Sequence, residues 1–276
     1  MKKITPKHVC HVIHERDEDG YKNQYGKVLI IAGNEMYGGA GIMAAEGAVC
    51  SGAGLVTLAS HQVNRSSLHA RLPECMFLDY LDTHHLKELL PSFDTVLIGP
   101  GLGLDQTAYD LLLLVLSESS AEQQLILDGD AITLFAQNQL PRPNARLIFT
   151  PHQGEWERLK SLLPETDDPA EFAERLPAVL VLKGHRTRVY TPDDDVWQNV
   201  YGSPAMATGG MGDTLAGIIA GLLHQTEQPL DGLLAAVFFH SYIADILAKK
   251  RFVVRPTEVS AQLPEYLKIF SEMTES

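Results

Sequence analysis

Apolar residues in this chain gather into short unbroken runs instead of alternating with polar ones. "KVLIIAG" starts at Lys27, "LVTLAS" at Leu55, "TVLIGPG" at Thr95, "QLILDGD" at Gln124, "RLIFTP" at Arg146 and "AVLVLKG" at Ala178. Runs rich in Val, Ile and Leu without a polar face predict strands buried on both sides. Most are separated by stretches that can be written as helices, so the pattern predicts a mainly parallel sheet in a three-layer α/β/α architecture. Many of the runs end in Gly, Pro or Asp, and open sheets of this kind bind ligands beyond the carboxyl ends of their strands.

After Lys183 the rhythm changes. "TRVYTPDDDVWQNVYG" predicts two antiparallel strands around a "PDDD" turn, a hairpin on the sheet edge. Three helical stretches then close the chain. The one from Leu230 to Lys249 sets Leu230, Leu233, Leu234, Val237, Phe238 and Tyr242 on one face. "LPETDDPAEF" is expected to be a loop inside the domain, because the strand after it belongs to the same sheet.

With 276 residues, 45% of them hydrophobic, the chain is expected to form one α/β domain over 1–276, or at most two. A net charge of -13 excludes the clustered basic surface that nucleic acids and anionic membranes require, leaving small molecules or other subunits as partners. The N-terminus lacks an apolar signal region, and no stretch approaches the run of about 18 apolar residues of a spanning helix, so a cytoplasmic protein is expected. Cys10, Cys50 and Cys75 are scattered and without C-x-x-C spacing, which suggests neither disulfides nor zinc.

The glycines change the picture. "ATGGMGDTLAGIIAGLL", residues 207 to 223, leads a glycine turn into a helix apolar nearly all round. No P-loop sequence is present, so a different phosphate device is needed. Gly209, Gly210 and Gly212 can present bare N–H groups to an anion at the helix N-terminus. Asp213 would cap that helix beside the charge so collected, an awkward position for an idle carboxylate and a suitable one for a base that takes a proton from a reacting hydroxyl. A plain N-cap after a flexible turn is the competing reading.

Other strand ends carry candidates. Gly39, Ala40, Gly41 and Ala44 imitate a dinucleotide fingerprint, but the cluster stands several residues from the first strand and "LASHQ" lacks the acidic partner, which excludes the Rossmann reading. These small residues would let the helix approach the sheet or a flat ligand. "IGPGLG" sets Gly99, Gly101 and Gly103 in a pocket-lining loop, and "TPHQGEWERL" offers His152. Lys183 in "LKGHRT" ends a strand, to meet a phosphate or stay solvated. Asp128 and Asp130 could assist magnesium through water or cap the next helix, and the cap is favoured; no direct metal ligand is assigned.

Together and in this order, "GGAG", "GPGLG", "TPHQGE", "VLKG" and "ATGGMGDTLAGIIAGLL" resemble the ADP-dependent NAD(P)H-hydrate dehydratases, a branch of the ribokinase superfamily, from about Gly26 to Leu267. The resemblance implies a ribokinase-like fold and a lyase that restores hydrated NADH or NADPH in metabolite repair, with ADP (or ATP) as co-substrate and magnesium as cofactor. Carried over by motif, Ala40, Gly101, Gly103 and His152 would contact the hydrated dinucleotide. Lys183, Gly184, His185, Arg186 and Thr187 would hold the adenine nucleotide with Gly209, Gly210 and Gly212, and Asp213 would face the reacting hydroxyl. The resemblance also implies a homo-oligomer, with a tetramer as the expected form. Because the first predicted strand opens at Lys27, a separate epimerase is expected to supply epimerisation. Gln153 departs from the proline common in the family and frees the loop backbone. The alternatives are a small-molecule kinase of the superfamily, of the hydroxymethylpyrimidine or hydroxyethylthiazole type, and a non-catalytic adenine-nucleotide-binding protein.

Overall fold

A computed structural model describes residues 1–273. Its strands are β1 (Lys2–Ile4), β2 (Lys27–Ile31), β3 (Leu55–Ser60), β4 (Met76–Asp79), β5 (Thr95–Ile98), β6 (Gln124–Leu127), β7 (Arg146–Phe149), β8 (Ala178–Leu182), β9 (Arg188–Tyr190) and β10 (Val196–Asn199). Its helices are α1 (Pro6–Cys10), α2 (Gly38–Cys50), α3 (Arg65–Arg71), α4 (Thr83–Leu89), α5 (Gln106–Glu118), α6 (Asp130–Gln137), α7 (Gln153–Leu159), α8 (Pro169–Arg175), α9 (Met211–Leu222), α10 (Pro229–Ala248) and α11 (Pro256–Glu272).

The strands form one ten-stranded sheet in the order β1-β10-β9-β8-β7-β6-β5-β2-β3-β4. All neighbours are parallel except around β9, which runs against both β8 and β10. Consecutive residues of a strand feed opposite layers: Val28 and Ile30 join the core under α2, α9 and α10, while Leu29 and Ile31 join the one under α5 and α6. Burial on both faces is why the sequence shows unbroken apolar runs.

Each of the predicted runs is a strand, and the hairpin forms. It does not sit at the edge, however, because β1 pairs in parallel with β10 outside it. β1 and β4 escape a periodicity reading: both are short, and their exposed residues interrupt the apolar signal. "LPETDDPAEF" is loop only in its first part. Asp168 accepts from the Ala170 N–H, and Pro169 opens α8 at the position where a missing N–H costs nothing.

α10 corrects another expectation. Its 20 residues are long and apolar enough to cross a bilayer by length and composition. Its middle is instead core: Leu234, Ala235, Ala236, Phe238 and Phe239 are at 0% exposure against α9 and α11. A helix apolar all round is satisfied by packing on every side.

The small residues of α2 serve chiefly a helix contact. A Cβ at Gly47 would stand 2.8 Å from the Thr214 carbonyl oxygen of α9, one at Gly221 would meet the Ala48 oxygen at 2.7 Å, and one at Gly217 would collide with the Ala44 carbonyl. α2 also approaches the sheet, where a Cβ at Gly41 would lie 3.0 Å from the Ala32 oxygen. Backbone thus packs on backbone along the seam, and both helices begin at the carboxyl ends of the strands.

Candidate active site

Strand order reverses between β2 and β5, the place where open α/β sheets leave a crevice. The two loops there are laced together: Gly33 N–H donates to the Pro100 oxygen at 2.9 Å and Asn34 N–H to the Gly101 oxygen at 2.8 Å. The path needs left-handed backbone at Gly101 (φ 58°) and Gly103 (φ 93°). A Cβ on Gly101 would stand 2.8 Å from the Ala40 methyl, so Ala40 and the "GPGLG" loop form one wall. Gly103 N–H donates to Asp130 Oδ2 at 2.8 Å. Asp130 therefore steadies the loop and is not the cap of α6, whose N-cap is Gly129 without a side-chain bond.

Asp128 is no cap either. It is 2% exposed, accepts from Thr150 Oγ1 at 2.6 Å and from Lys183 Nζ at 2.7 Å, and so ties the ends of β6, β7 and β8 together. Lys183 is not solvated: burial works against its charge, but Asp128 and Glu155 outweigh it and hold its pKa above the ordinary lysine value. Glu155 Oε2 lies 3.9 Å from the ammonium. The same carboxylate accepts from the His152 N–H at 2.7 Å, while the His152 ring accepts from the N–H groups of Gly154 and Glu155, a reciprocal cap that fixes the start of α7. Burial raises the Glu155 pKa, with Lys183 pulling the other way and Asp128 adding to the rise.

Asp213 faces this cluster from the first turn of α9. The N-cap is Gly210, left-handed at φ 92°, so Asp213 is not the cap the sequence suggested. Burial first, then Asp128, push its carboxyl up to about 6; Lys183 opposes, and Asp130 and Glu155 add to the rise. Such a carboxyl gives up and takes a proton near neutral pH. Gly212 lies beside the lysine, where a Cβ would stand 3.2 Å from Nζ. The ammonium, the glycine turn and Asp213 are thus one constellation.

A cavity of about 470 Å³ opens next to it, lined by Lys183, Gly184, His185, Thr187 and Gly212 among others. Thr187 is buried, and its hydroxyl donates to the Gly184 carbonyl at 3.4 Å. Arg186 stands apart from this lining and donates to the Val200 carbonyl at 2.9 Å; Gly209 and Gly210 are also outside it. A larger cavity of about 600 Å³ lies at the opposite ends of α2 and α9, against Gly52 and Leu222, and holds none of these groups. Among the described residues, no three His, Cys, Asp or Glu side chains converge closely enough to hold a metal ion.

Sequence reasoning passed over Thr150, Glu155 and His240. Glu155 carried a readable signal, three residues after the capping His152. Thr150 is a strand-end hydroxyl, and His240 stands in the apolar α10, where no spacing marks a cavity lining.

Comparison with known proteins gives the family. The family model described as NAD(P)H-hydrate dehydratase matches residues 28–265. The ADP-dependent (S)-NAD(P)H-hydrate dehydratase of Listeria monocytogenes is 59% identical over 275 residues, covering 100% of this chain and 99% of that protein. A ribokinase-like superfamily protein from Enterococcus faecalis superposes with a TM-score of 0.94 at 43% identity, covering 99% of this chain and 97% of the other. The ADP/ATP-dependent NAD(P)H-hydrate dehydratase of Bacillus subtilis, co-crystallized with ATP/Mg2+, does so with a TM-score of 0.85 at 31% identity, covering 98% of each chain. A ribokinase-like sheet, a glycine turn at α9 and matches across nearly the full length leave one assignment: this chain belongs to the NAD(P)H-hydrate dehydratase family.

Proposed function

We propose that this chain catalyses the ADP-dependent dehydration of (S)-NAD(P)H hydrate to NAD(P)H, releasing AMP and phosphate. The observation that carries the reading is Asp213, whose carboxyl is raised to about 6 beside a charged lysine and a glycine turn. In this reading Ala40, Gly101, Gly103 and His152 receive the hydrated dinucleotide. Lys183, Gly184, His185, Thr187 and Gly212 line the adenine-nucleotide pocket, and Arg186, Gly209 and Gly210, outside its lining, would complete the hold on the nucleotide.

Asp213 takes the proton of the ring hydroxyl as its oxygen attacks the terminal phosphoryl of ADP. The new O–P bond forms while the bond to the leaving oxygen of AMP breaks, and backbone N–H groups of the "GGMG" turn meet the charge that develops. Phosphate is a better leaving group than hydroxide. The ring nitrogen lone pair expels it from carbon 6, and water takes a proton from carbon 5, which closes the double bond of the dihydronicotinamide.

Magnesium fits the charge pattern, since Asp128, Glu155 and Asp213 act on the single Lys183 ammonium and Asp213 is itself raised by Asp128, Asp130 and Glu155. Asp130 and Asp213 would hold it through water, and when bound it would neutralise charge on the nucleotide phosphates. A separate epimerase belongs to the same reading. A bifunctional NAD(P)H-hydrate repair enzyme of Coxiella burnetii is 37% identical, and this chain covers 50% of it. A single domain, a cytoplasmic location beside the dinucleotide pool and a homo-oligomer, a tetramer by resemblance, complete it.

The test mixes the purified protein with NADH hydrate, magnesium and ADP and follows dihydronicotinamide absorbance together with phosphate. Equal appearance of both, absent without nucleotide, is expected. A stable phosphate ester would mean a kinase, and nucleotide binding without turnover a sensor.

A further inference from the structure

A further cavity, of about 310 Å³, opens at the starting ends of β6, β7 and β8, the edge of the sheet opposite Asp128 and Lys183. Gln124 and Arg146 open β6 and β7 and stand opposite each other in register. Their side chains leave the sheet with those of Ile126 and Ile148, on the face under α9 and α10. Gln124 is 5% exposed and lines the cavity, yet its amide has no hydrogen-bond partner among the described residues. Nor is the amide sealed off, so the surface it keeps is turned to the cavity. A side chain at that depth is ordinarily paired.

Two arginines line the same space. Arg142 is fixed by the carbonyls of Leu176 and Pro177, at 3.1 and 3.0 Å, and keeps N–H groups to spare. Neither arginine forms an ion pair among the described residues. The exposed Glu122 carboxyl is lowered first by its bond with Ser120 and least by Arg146, which leaves that guanidinium uncompensated. α10 also begins here. Its N-cap Gln228 makes no side-chain bond, so the positive end of a 20-residue helix adds to the two charges. Such a basic pocket is out of keeping with a net charge of -13. In the 600 Å³ cavity, by contrast, Arg16 and Lys268 are already engaged, with the Gly52 carbonyl and with Glu15.

We propose that this cavity is a second ligand site, for a small molecule with a flat apolar body and one anionic group, a carboxylate or a phosphate ester. The anionic oxygens accept from Arg146, Arg142 and the Gln124 amide, and the body lies on Ile148, Leu223 and Leu233. None of these residues lines the nucleotide cavity, so the site stands apart from the activity proposed above.

The test is calorimetric titration of 4-bromobenzoate and of 4-bromophenyl phosphate into the wild-type protein. A Kd on the order of 1 mM is expected for at least one, and the two arms tell carboxylate from phosphate. The neutral 4-bromobenzamide is expected to bind at least about tenfold more weakly. In crystals soaked with the tighter probe, anomalous scattering from bromine should place the ring against Ile148 and Leu233. Arg146→Leu and Gln124→Leu are each expected to weaken binding at least about tenfold and to remove the bromine peak. Gln124→Leu takes away an unpaired amide and is expected to melt no lower than the wild type. No binding of either anion, equal affinity for the amide, bromine found only outside this cavity, or wild-type affinity in either variant would overturn the proposal. So would a Gln124→Leu protein that melts well below the wild type, since the amide would then have a partner within the chain.

Discussion

Replacing Asp213 with asparagine is expected to stop turnover and to stabilise the fold at neutral pH. The carboxyl rises from 3.8 to about 6 on folding, chiefly through burial. At about 1.4 kcal/mol per unit, the folded protein disfavours the charged form by about 3 kcal/mol as an upper bound. Asp213 is only partly buried, so screening reduces this to roughly 1–2 kcal/mol. The sign follows from linkage. Because the folded pKa is raised, the favourable contribution is complete below about 3.8 and is lost as pH climbs through about 6. Asparagine carries no charge at any of these pH values. Asp213→Asn is therefore expected to melt about 2–6 °C above the wild type at pH 7.5, with the gap closing between pH 6 and pH 4. Turnover with ADP and magnesium should fall at least about 100-fold while calorimetry still detects ADP binding. Thermal denaturation across this pH series, beside steady-state assays, tests both halves. A variant less stable than the wild type at pH 7.5, a gap independent of pH, or a kcat within about tenfold of wild type would refute the reasoning.

Other substitutions probe the same constellation. Wild-type kcat/KM is expected to fall about tenfold per pH unit below about 6 as Asp213 takes up its proton, and an acid limb at pH 4 would remove it as the base. Lys183→Met leaves Asp128 and Glu155 facing each other without their cation; a loss of about 3 kcal/mol in urea denaturation and an acid limb moved above pH 6 are expected, and unchanged stability would contradict the ion pair. Glu155→Gln keeps an acceptor for the His152 N–H but removes a charge that raises Asp213, so the limb should move below pH 6, opposite to Lys183→Met. Gly101→Ala imposes a left-handed alanine at φ 58° whose methyl would meet Ala40 at 2.8 Å; KM for NADH hydrate should rise about tenfold with kcat nearly kept, and an unchanged KM would separate this loop from the substrate.

The sheet was legible because its strands are hidden on both faces, which forces unbroken runs such as "VLII" at Val28 and "LILD" at Leu125. β1 and β4 were not, since a strand of three or four residues with exposed positions has no period to read. Local rules also erred where a through-space partner competes with a helix terminus. Asp128, Asp130 and Asp213 all looked like caps, yet the caps of α6 and α9 are Gly129 and Gly210, and the carboxylates turn toward Lys183, Gly103 and one another. Motif resemblance brought Lys183, Gly212 and Asp213 together, and the structure joins them. It did not bring in Glu155 or His240, whose environments come from strands and helices distant in sequence.

The glycine seam between α2 and α9 acts as a gauge. α2 carries Ala40 at its start and α9 carries Gly212 and Asp213 at its own, so the gap between the two axes sets how far the proposed dinucleotide wall stands from the proposed phosphoryl-binding turn. With Gly47 against Thr214 and Gly217 against Ala44, that gap is at its lower limit, and any side chain added there can only widen it. A change in the buried seam, touching no reactant, would thus register as a longer reach between attacking oxygen and phosphorus. The reactive separation is in this sense encoded by residues with no chemistry of their own.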